Sequence, residues 1–416
     1  MASLVTLLRD MRYPTPQELA LAARALVDEH PARAGLRQAG VSRAGRPLWL
    51  LSVDGRGGGG DGRRQVLVVA GAHANEPVGG ATALDLARRV LRDGGGGAGW
   101  HFLLCADPDG AELHRTPRPY SLLDYHRNFF RPPGPEQPEW APSLVAPDRL
   151  PPETRALTAL IGELRPVLQV SLHGTDLGGS WVQLTRDVPG LAEPFAKSAA
   201  ELRIPVETGA SDAAGWASPG PGIFVMPEAG AGPAGAFHPE DTRLSTWCHE
   251  GTTAIVEVPM WASDLVDDPA PHPDPRGALR MLAARLTEDS GRVAGLRGGA
   301  RGPEDAGSAA LLRAVDWTLG LIPRIAAEWT GAGVPDEATA AAVGSIDAFG
   351  RRLSLRAAAM LLRVLRAQGH PAAPGLDRLV TGWCEEFAAR FQARWVPVAT
   401  QVEHQSRTVL AAYERL

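Results

Sequence analysis

The stretch QVLVVAGAHANEP, residues 65–77, runs apolar for six positions, breaks at Gly71 and then turns polar. A short continuous apolar run reads as a strand buried on both faces. Residues 78–92, rich in Ala and Leu, continue as a helix, so the segment is a strand–turn–helix unit. The same pattern recurs on both sides. Strands are expected at 47–53 (PLWLLSV), 101–105 (HFLLC), 167–172 (VLQVSL), 180–184, 222–226 and 253–258 (TAIVEV). Helices are expected at 16–29, 152–164 and 190–203, the first with Thr15 as N-cap and Pro16 in its first turn. Strands alternating with helices predict an α/β fold with a largely buried sheet.

The turn after residue 70 also carries chemistry. His73 and Glu76 lie just past the end of the central strand, where open α/β sheets place ligands. His173 ends the strand 167–172 in the same way. Glu257 interrupts the apolar run 253–258, and a carboxylate in such a run is costly to bury unless it is paired or part of a site. Two imidazoles and a carboxylate are a donor set for a metal ion, typically zinc with one position left for water. The glycines of 55–64 precede a strand, so they do not form a phosphate-cradling loop, which needs strand, glycines and helix in that order.

The chain changes character after the Pro-rich DDPAPHPDPRG at 267–277. Beyond it, helical periodicity is expected over 276–293, 307–330, 346–368, 375–393 and 396–415. The predicted division is a catalytic domain over 1–268 and an all-helical module over 276–416. Trp317, Trp329, Trp383 and Trp395 fit the core of that module, which could also cover the site, form a homo-oligomer interface or bind a partner.

The charge of −5 and the pI of about 6.1 give no basic surface for nucleic acid and no polybasic reason to sit on a membrane. Cys105, Cys248 and Cys384 lie too far apart in sequence for a zinc knuckle or a redox motif. The N-terminal stretch lacks a signal-peptide apolar region, and no segment reaches the ~18 apolar residues of a membrane span. The expected location is cytoplasmic.

These residues resemble the zinc metallocarboxypeptidase family, the carboxypeptidase A-like peptidases, in order over about residues 13–262. The resemblance runs through GVSRAGRPLWLLSV (40–53), GAHANEP (71–77), ADPDG (106–110), DYHRNF (124–129), PETRAL (152–157), SLHG (171–174) and TAIVEVP (253–259). It implies a mixed central sheet flanked by helices, with Zn2+ held by His73, Glu76 and His173. It implies Glu257 as general base and acid, Arg127 as the binder of the substrate's terminal carboxylate and Arg115 as an oxyanion stabiliser. His126 stands where the family has an asparagine beside that arginine, and Asp107 where it has an asparagine before Pro-Asp-Gly. The family's mobile tyrosine has no counterpart; Trp247, His249 or His238 is a candidate cap. Within 208–241, Trp216, Phe224 and Phe237 could line a specificity loop, and Arg243 could read an acidic side chain. The expected function is hydrolysis of a C-terminal amide bond in a peptide or peptide-like substrate. An aspartoacylase-like amidase, or an inactive zinc scaffold with a helical interaction module, are the alternatives.

Overall fold

The computed structural model describes residues 12–55, 64–116, 118–227, 245–303, 305–331 and 337–416. Phe237, His238 and Arg243 lie outside the described residues.

The chain opens with α1 (Pro16–Glu29), β1 (Ala34–Val41), β2 (Pro47–Asp54), β3 (Gln65–Ala70), α2 (Val78–Asp93) and β4 (Gly99–Leu103). Three short helices follow, α3 (Pro108–Leu113), α4 (Leu122–Arg127) and α5 (Ala141–Leu144). Then come α6 (Pro152–Leu164), β5 (Leu168–Gly178), β6 (Trp181–Leu184), α7 (Ala192–Leu202), β7 (Ala217–Gly220), β8 (Ile223–Val225) and β9 (Thr252–Ala262). The remainder is α8 (Pro275–Gly299), α9 (Ala306–Glu328), α10 (Ala340–Ala367), α11 (Ala373–Arg390), β10 (Arg394–Trp395) and α12 (Val398–Tyr413).

Among the described residues the strands form one mixed sheet in the order β1-β2-β4-β3-β5-β9-β6-β8-β7, with β10 paired to β9. Its centre, β4-β3-β5-β9, is parallel, and the flanking pairs are antiparallel except β6-β8, which is parallel. Strand alternation sends Val66, Val68 and Ala70 to one face, against α1, α2, α7 and α12. Leu67 and Val69 point to the other face, where Leu157 and Leu160 of α6 cover them. A strand covered on both sides has no use for polar residues, which is why QVLVVA contains so few.

β5 and β9 run past the rest of the sheet to Gly178 and Ala262. Leu177, Met260 and Trp261 on these extensions join a second core with Tyr125, Phe129 and the helices α8 to α11. α10 lies at the centre of this bundle, and its stretch Ala357–Leu362 is fully enclosed. Each such leucine contributes about 1.5–3 kcal/mol relative to exposure.

The C-terminal helical region expected from the sequence is present, but its last part leaves the bundle. Arg394 and Trp395 pair with Ala262 and Trp261 on β9. α12 then packs on α2, α7 and β9, so it belongs to the helical layer of the sheet. No helix among the described residues is long and apolar enough to cross a membrane.

Candidate metal centre and substrate cavity

The turn from β3 to α2 is shaped by one glycine. Gly71 has φ +62°, and a Cβ there would meet Cys105 Sγ at 3.0 Å. Only glycine fits this left-handed, crowded position. The chain then folds back, with the Glu76 amide donating to the His73 carbonyl at 3.1 Å, so both side chains face the same point. His173 comes from β5 and Glu257 from β9, and the two are direct register partners across the parallel ladder. On β5, Leu172 faces the core, so its neighbours Ser171 and His173 face the opposite side.

The ligand atoms of His73, Glu76 and His173 lie within 4.8 Å of one another, and all three residues are buried. Nδ1 of His73 and Nδ1 of His173 each stand 3.0 Å from Glu76 Oε2. Glu257 Oε1 lies 3.7 Å from His173 Nδ1. A tetrahedral zinc with bonds of about 2.0–2.1 Å spaces its ligand atoms about 3.3 Å apart. The donor set and its spacing therefore fit such an ion.

The other nitrogen of each imidazole is also engaged. His173 Nε2 donates to Glu139 Oε2 at 2.9 Å, and Ser171 Oγ lies 2.8 Å away. This carboxylate–histidine pair fixes the ring and leaves Nδ1 aimed at the cluster. Glu139 sits in the loop-rich stretch before α6, in no motif, and the sequence reading missed it. His73 Nε2 accepts from Arg131 Nη2 at 2.8 Å, while Arg131 Nη1 donates to Glu76 Oε1 at 3.1 Å. His73 Nδ1 thus carries the proton here and donates it to Glu76.

Electrostatics follow from this arrangement. Burial, reinforced by Arg131, lowers the His73 pKa to about 4. Burial also works against the His173 imidazolium, but its hydrogen bonds to Glu139 and Glu76 outweigh it and hold its pKa well above the usual value. Burial, together with the charge of Glu76, raises Glu257 to about 8.

The cluster opens into a cavity of about 290 Å³. One wall is the sheet end, with Trp140, Trp181, Trp216 and Trp247. The opposite wall is helical, with Trp317 and Leu321 of α9 and Phe349, Arg352 and Arg356 of α10. Of the candidate caps, Trp247 is here, its ring 6.1 Å from that of His173. His249 is not among the lining residues and instead contacts Thr253 and Gly251. Trp216 lines the cavity, whereas Phe224 stacks edge-on against Trp181 in a small core. Trp317, expected in the helical core, lines the cavity instead.

The structure does not bring Arg115, His126 or Arg127 to the cavity wall. Arg115 is exposed and pairs with Glu112 at 2.6 Å. Arg127, the last residue of α4, turns toward α11, where it pairs with Asp377 at 2.9 Å and donates to Thr381 at 3.1 Å. The reason is local: Ser121 caps a helical turn over 122–127, which points the arginine away from the sheet. His126 is fully buried between Tyr125 and Phe387, and burial lowers its pKa to about 4. Neither of its ring nitrogens has a hydrogen-bond partner.

α12 supports the site from behind. Gln405 Nε2 donates to the carbonyls of His173 at 2.6 Å and Val256 at 3.2 Å. Ser180 Oγ donates to the Glu257 carbonyl at 2.6 Å and lies 2.9 Å from His404 Nε2. The last helix thus braces the backbone of both strands that carry the cluster.

Comparison with known proteins finds distant similarities. A metallo-carboxypeptidase from Burkholderia cenocepacia is 18% identical, with 61% of this chain and 62% of that chain covered and a TM-score of 0.37. Thrombin activatable fibrinolysis inhibitor is 12% identical, over 46% of this chain and 57% of that chain, with a TM-score of 0.31. Its bovine form, in complex with tick carboxypeptidase inhibitor, is 16% identical over 46% and 71%, with a TM-score of 0.29. The chain thus spans under two thirds of the length of the first two. No curated protein matches. The zinc carboxypeptidase family model matches residues 21–181, a span that includes His73, Glu76 and His173 and stops before Glu257. Over residues 21–181 the chain is therefore similar to the zinc carboxypeptidase family, the resemblance that the ordered motifs carry.

Proposed function

We propose that this protein is a zinc-dependent hydrolase that cuts an amide bond of a peptide or peptide-like substrate in the manner of a metallocarboxypeptidase. The observation that carries this reading is the convergence of His73, Glu76 and His173 beside Glu257, with His173 and Glu257 paired across two central strands. When bound, zinc supplies an acidified water and polarises the scissile carbonyl. Glu257 Oε1 takes a proton from the attacking water and returns it to the leaving amine. Glu139 holds His173 in the orientation that presents Nδ1. His73, Glu76 and His173 would hold the zinc; with Nδ1 of His73 so engaged, its ring proton would sit on Nε2, which could then no longer accept from Arg131, and Arg131 would be free to contact the substrate.

The small volume, roofed by α9 and α10, favours a short substrate and keeps the amidase reading alongside the peptidase one. The test is incubation with a mixed set of short peptides and N-acyl amino acids, with released products read by mass spectrometry. Chelation should abolish release. Glu257→Gln should retain zinc while turnover falls by at least ~100-fold. Near-normal turnover in that variant would sink the mechanism.

A further inference from the structure

The turn that carries His73 and Glu76 has two faces. Those two side chains meet at the cluster, whereas the residues between them are engaged on the helical side. Ala74 packs into the second core, with Tyr125, Met260 and Trp261. Asn75 is fully buried, and a buried amide is costly unless it is hydrogen-bonded. Its Nδ2 donates to Tyr125 Oη at 3.2 Å, and Tyr125 Oη donates in turn to the Asn75 carbonyl at 3.3 Å. Asn75 Oδ1 is buried without a partner, so among the described residues Tyr125 is the single hold on that side chain. One hydroxyl grips both the side chain and the backbone of the residue directly before Glu76.

Tyr125 is itself held in place. Its buried ring lies 5.0 Å from that of His114, 5.1 Å from His126, 5.5 Å from Trp261 and 6.0 Å from Phe129, centroid to centroid. His114 caps the end of α3, and Trp261 lies on the extension of β9 beyond Glu257. Rings packed from separate elements leave the hydroxyl little freedom. Burial pushes the Tyr125 hydroxyl further above its usual pKa, so it keeps the proton that it donates. The cavity lining does not include Tyr125, so the residue acts on the centre only through the turn.

We propose that Tyr125 is a positioning residue for the metal centre: through Asn75 it fixes the turn 73–76, so that His73 Nδ1 and Glu76 Oε2 stand at the spacing a zinc ion needs. The inference rests on the reading of the cluster as a zinc site. From the sheet side the same turn is set by Gly71, with its φ of +62°, and by the Gly174 amide, 3.4 Å from Glu76 Oε2. Tyr125 supplies the hold from the helical side. In DYHRNF (124–129) the arginine draws notice, yet it turns away to Asp377, and the tyrosine two residues earlier is the one that reaches the metal turn.

The experiment strips the full chain of metal and titrates zinc against a calibrated chelator. Tyr125→Phe keeps the ring and removes the hydroxyl. Its zinc affinity should fall by about 10-fold, as for other groups that orient metal ligands from behind. Asn75→Ala keeps the carbonyl that Tyr125 also holds, so its affinity should fall by only about threefold. The control is Tyr413→Phe, which deletes a hydroxyl bonded to the Gly96 carbonyl at 3.3 Å, away from the centre. It should bind zinc like the wild type. Cobalt in place of zinc reads ligand geometry directly, and its visible absorption should shift in Tyr125→Phe but not in Tyr413→Phe. Wild-type zinc affinity and an unchanged cobalt spectrum in Tyr125→Phe would overturn the proposal. So would an equal loss in Tyr413→Phe, because a general loss of stability would then explain both. If Tyr125→Phe lacks native circular dichroism, Asn75→Ala decides in its place, and wild-type affinity there would overturn the proposal. The expected losses of zinc without cleavage of any peptide would remove the hydrolase reading and leave Tyr125 in its role. A wild-type chain that takes up no zinc would remove both.

Discussion

The two walls of the cavity are built on different principles. The sheet wall places His73 just past the end of β3, and His173 and Glu257 midway along β5 and β9, at the level where β3 stops. The helical wall offers Trp317, Arg352 and Arg356 from the sides of long helices. Register partners converge because the parallel ladder aligns them, so the sheet wall suits atoms that must meet within a few ångströms. Helix flanks can change side chains without moving that centre, so the helical wall suits selection of what enters. On the proposed function, the difference teaches that reactivity and choice of substrate would sit on separate layers of this molecule.

The largest way to break that division is Glu139→Gln. The variant keeps a hydrogen-bond partner for His173 but removes the charge, so zinc affinity should fall by 10–100-fold, as for other outer-shell partners. Competition with a calibrated chelator measures it. Unchanged affinity would mean that the sheet wall is not organised by Glu139.

The sheet wall was also the legible one. QVLVVA, VLQVSL and TAIVEV read as buried strands, and β3, β5 and β9 are there. Their polar interruptions, His173 and Glu257, stood out against apolar neighbours. Glu139 had no such contrast, because PEQPEW carries no period and its partner lies 34 residues on. Arg352 and Arg356 were hidden for the opposite reason. In GRRLSLRAAAM, arginines at helical spacing look like a solvated face, and only the tertiary placement of α10 encloses them. β1 was missed because its pattern is mostly exposed, as an edge strand's is. The extensions of β5 and β9 beyond residues 172 and 258 were missed because glycine and proline interrupt them. Arg127 shows the limit of a motif: its neighbours match in order, but a capped turn sends the side chain to Asp377.

A second test concerns the brace behind the sheet wall. Gln405→Leu should leave the His173 and Val256 carbonyls without their donor at a cost of about 2 kcal/mol. The melting temperature should drop by several degrees, and zinc affinity should fall with it. A stability loss without any change in zinc binding would show that the brace supports the fold and not the centre.

On the helical wall, Trp317→Ala should lower kcat/KM by about fivefold, mostly through KM, with zinc content unchanged. A fall in kcat alone would blur the division between the walls, because it would place Trp317 in the chemistry.

The smallest effect is a pH signature behind the sheet wall. Asp107 caps α3 by accepting from the Gly110 amide at 2.8 Å, and its Oδ2 is buried without a partner. Burial raises its pKa to about 7. A carboxyl whose pKa is raised on folding binds its proton more tightly in the native state, so its contribution is full below about pH 4 and is lost as pH rises toward 7. Asp107→Asn keeps an accepting oxygen and removes the charge. The variant should match wild type near pH 5 or fall slightly below it, and melt about 2 °C higher at pH 8. The opposite sign would mean that Asp107 is paired in solution.

The return of α12 to the sheet also sets an order of assembly. Gln405 is 232 residues downstream of His173, whose carbonyl it holds. During synthesis the strands that carry His173 and Glu257 emerge long before their brace, and the intervening helices must fold while that face of the sheet is uncovered. The nascent chain therefore cannot hold a finished centre until α12 has been made and has docked.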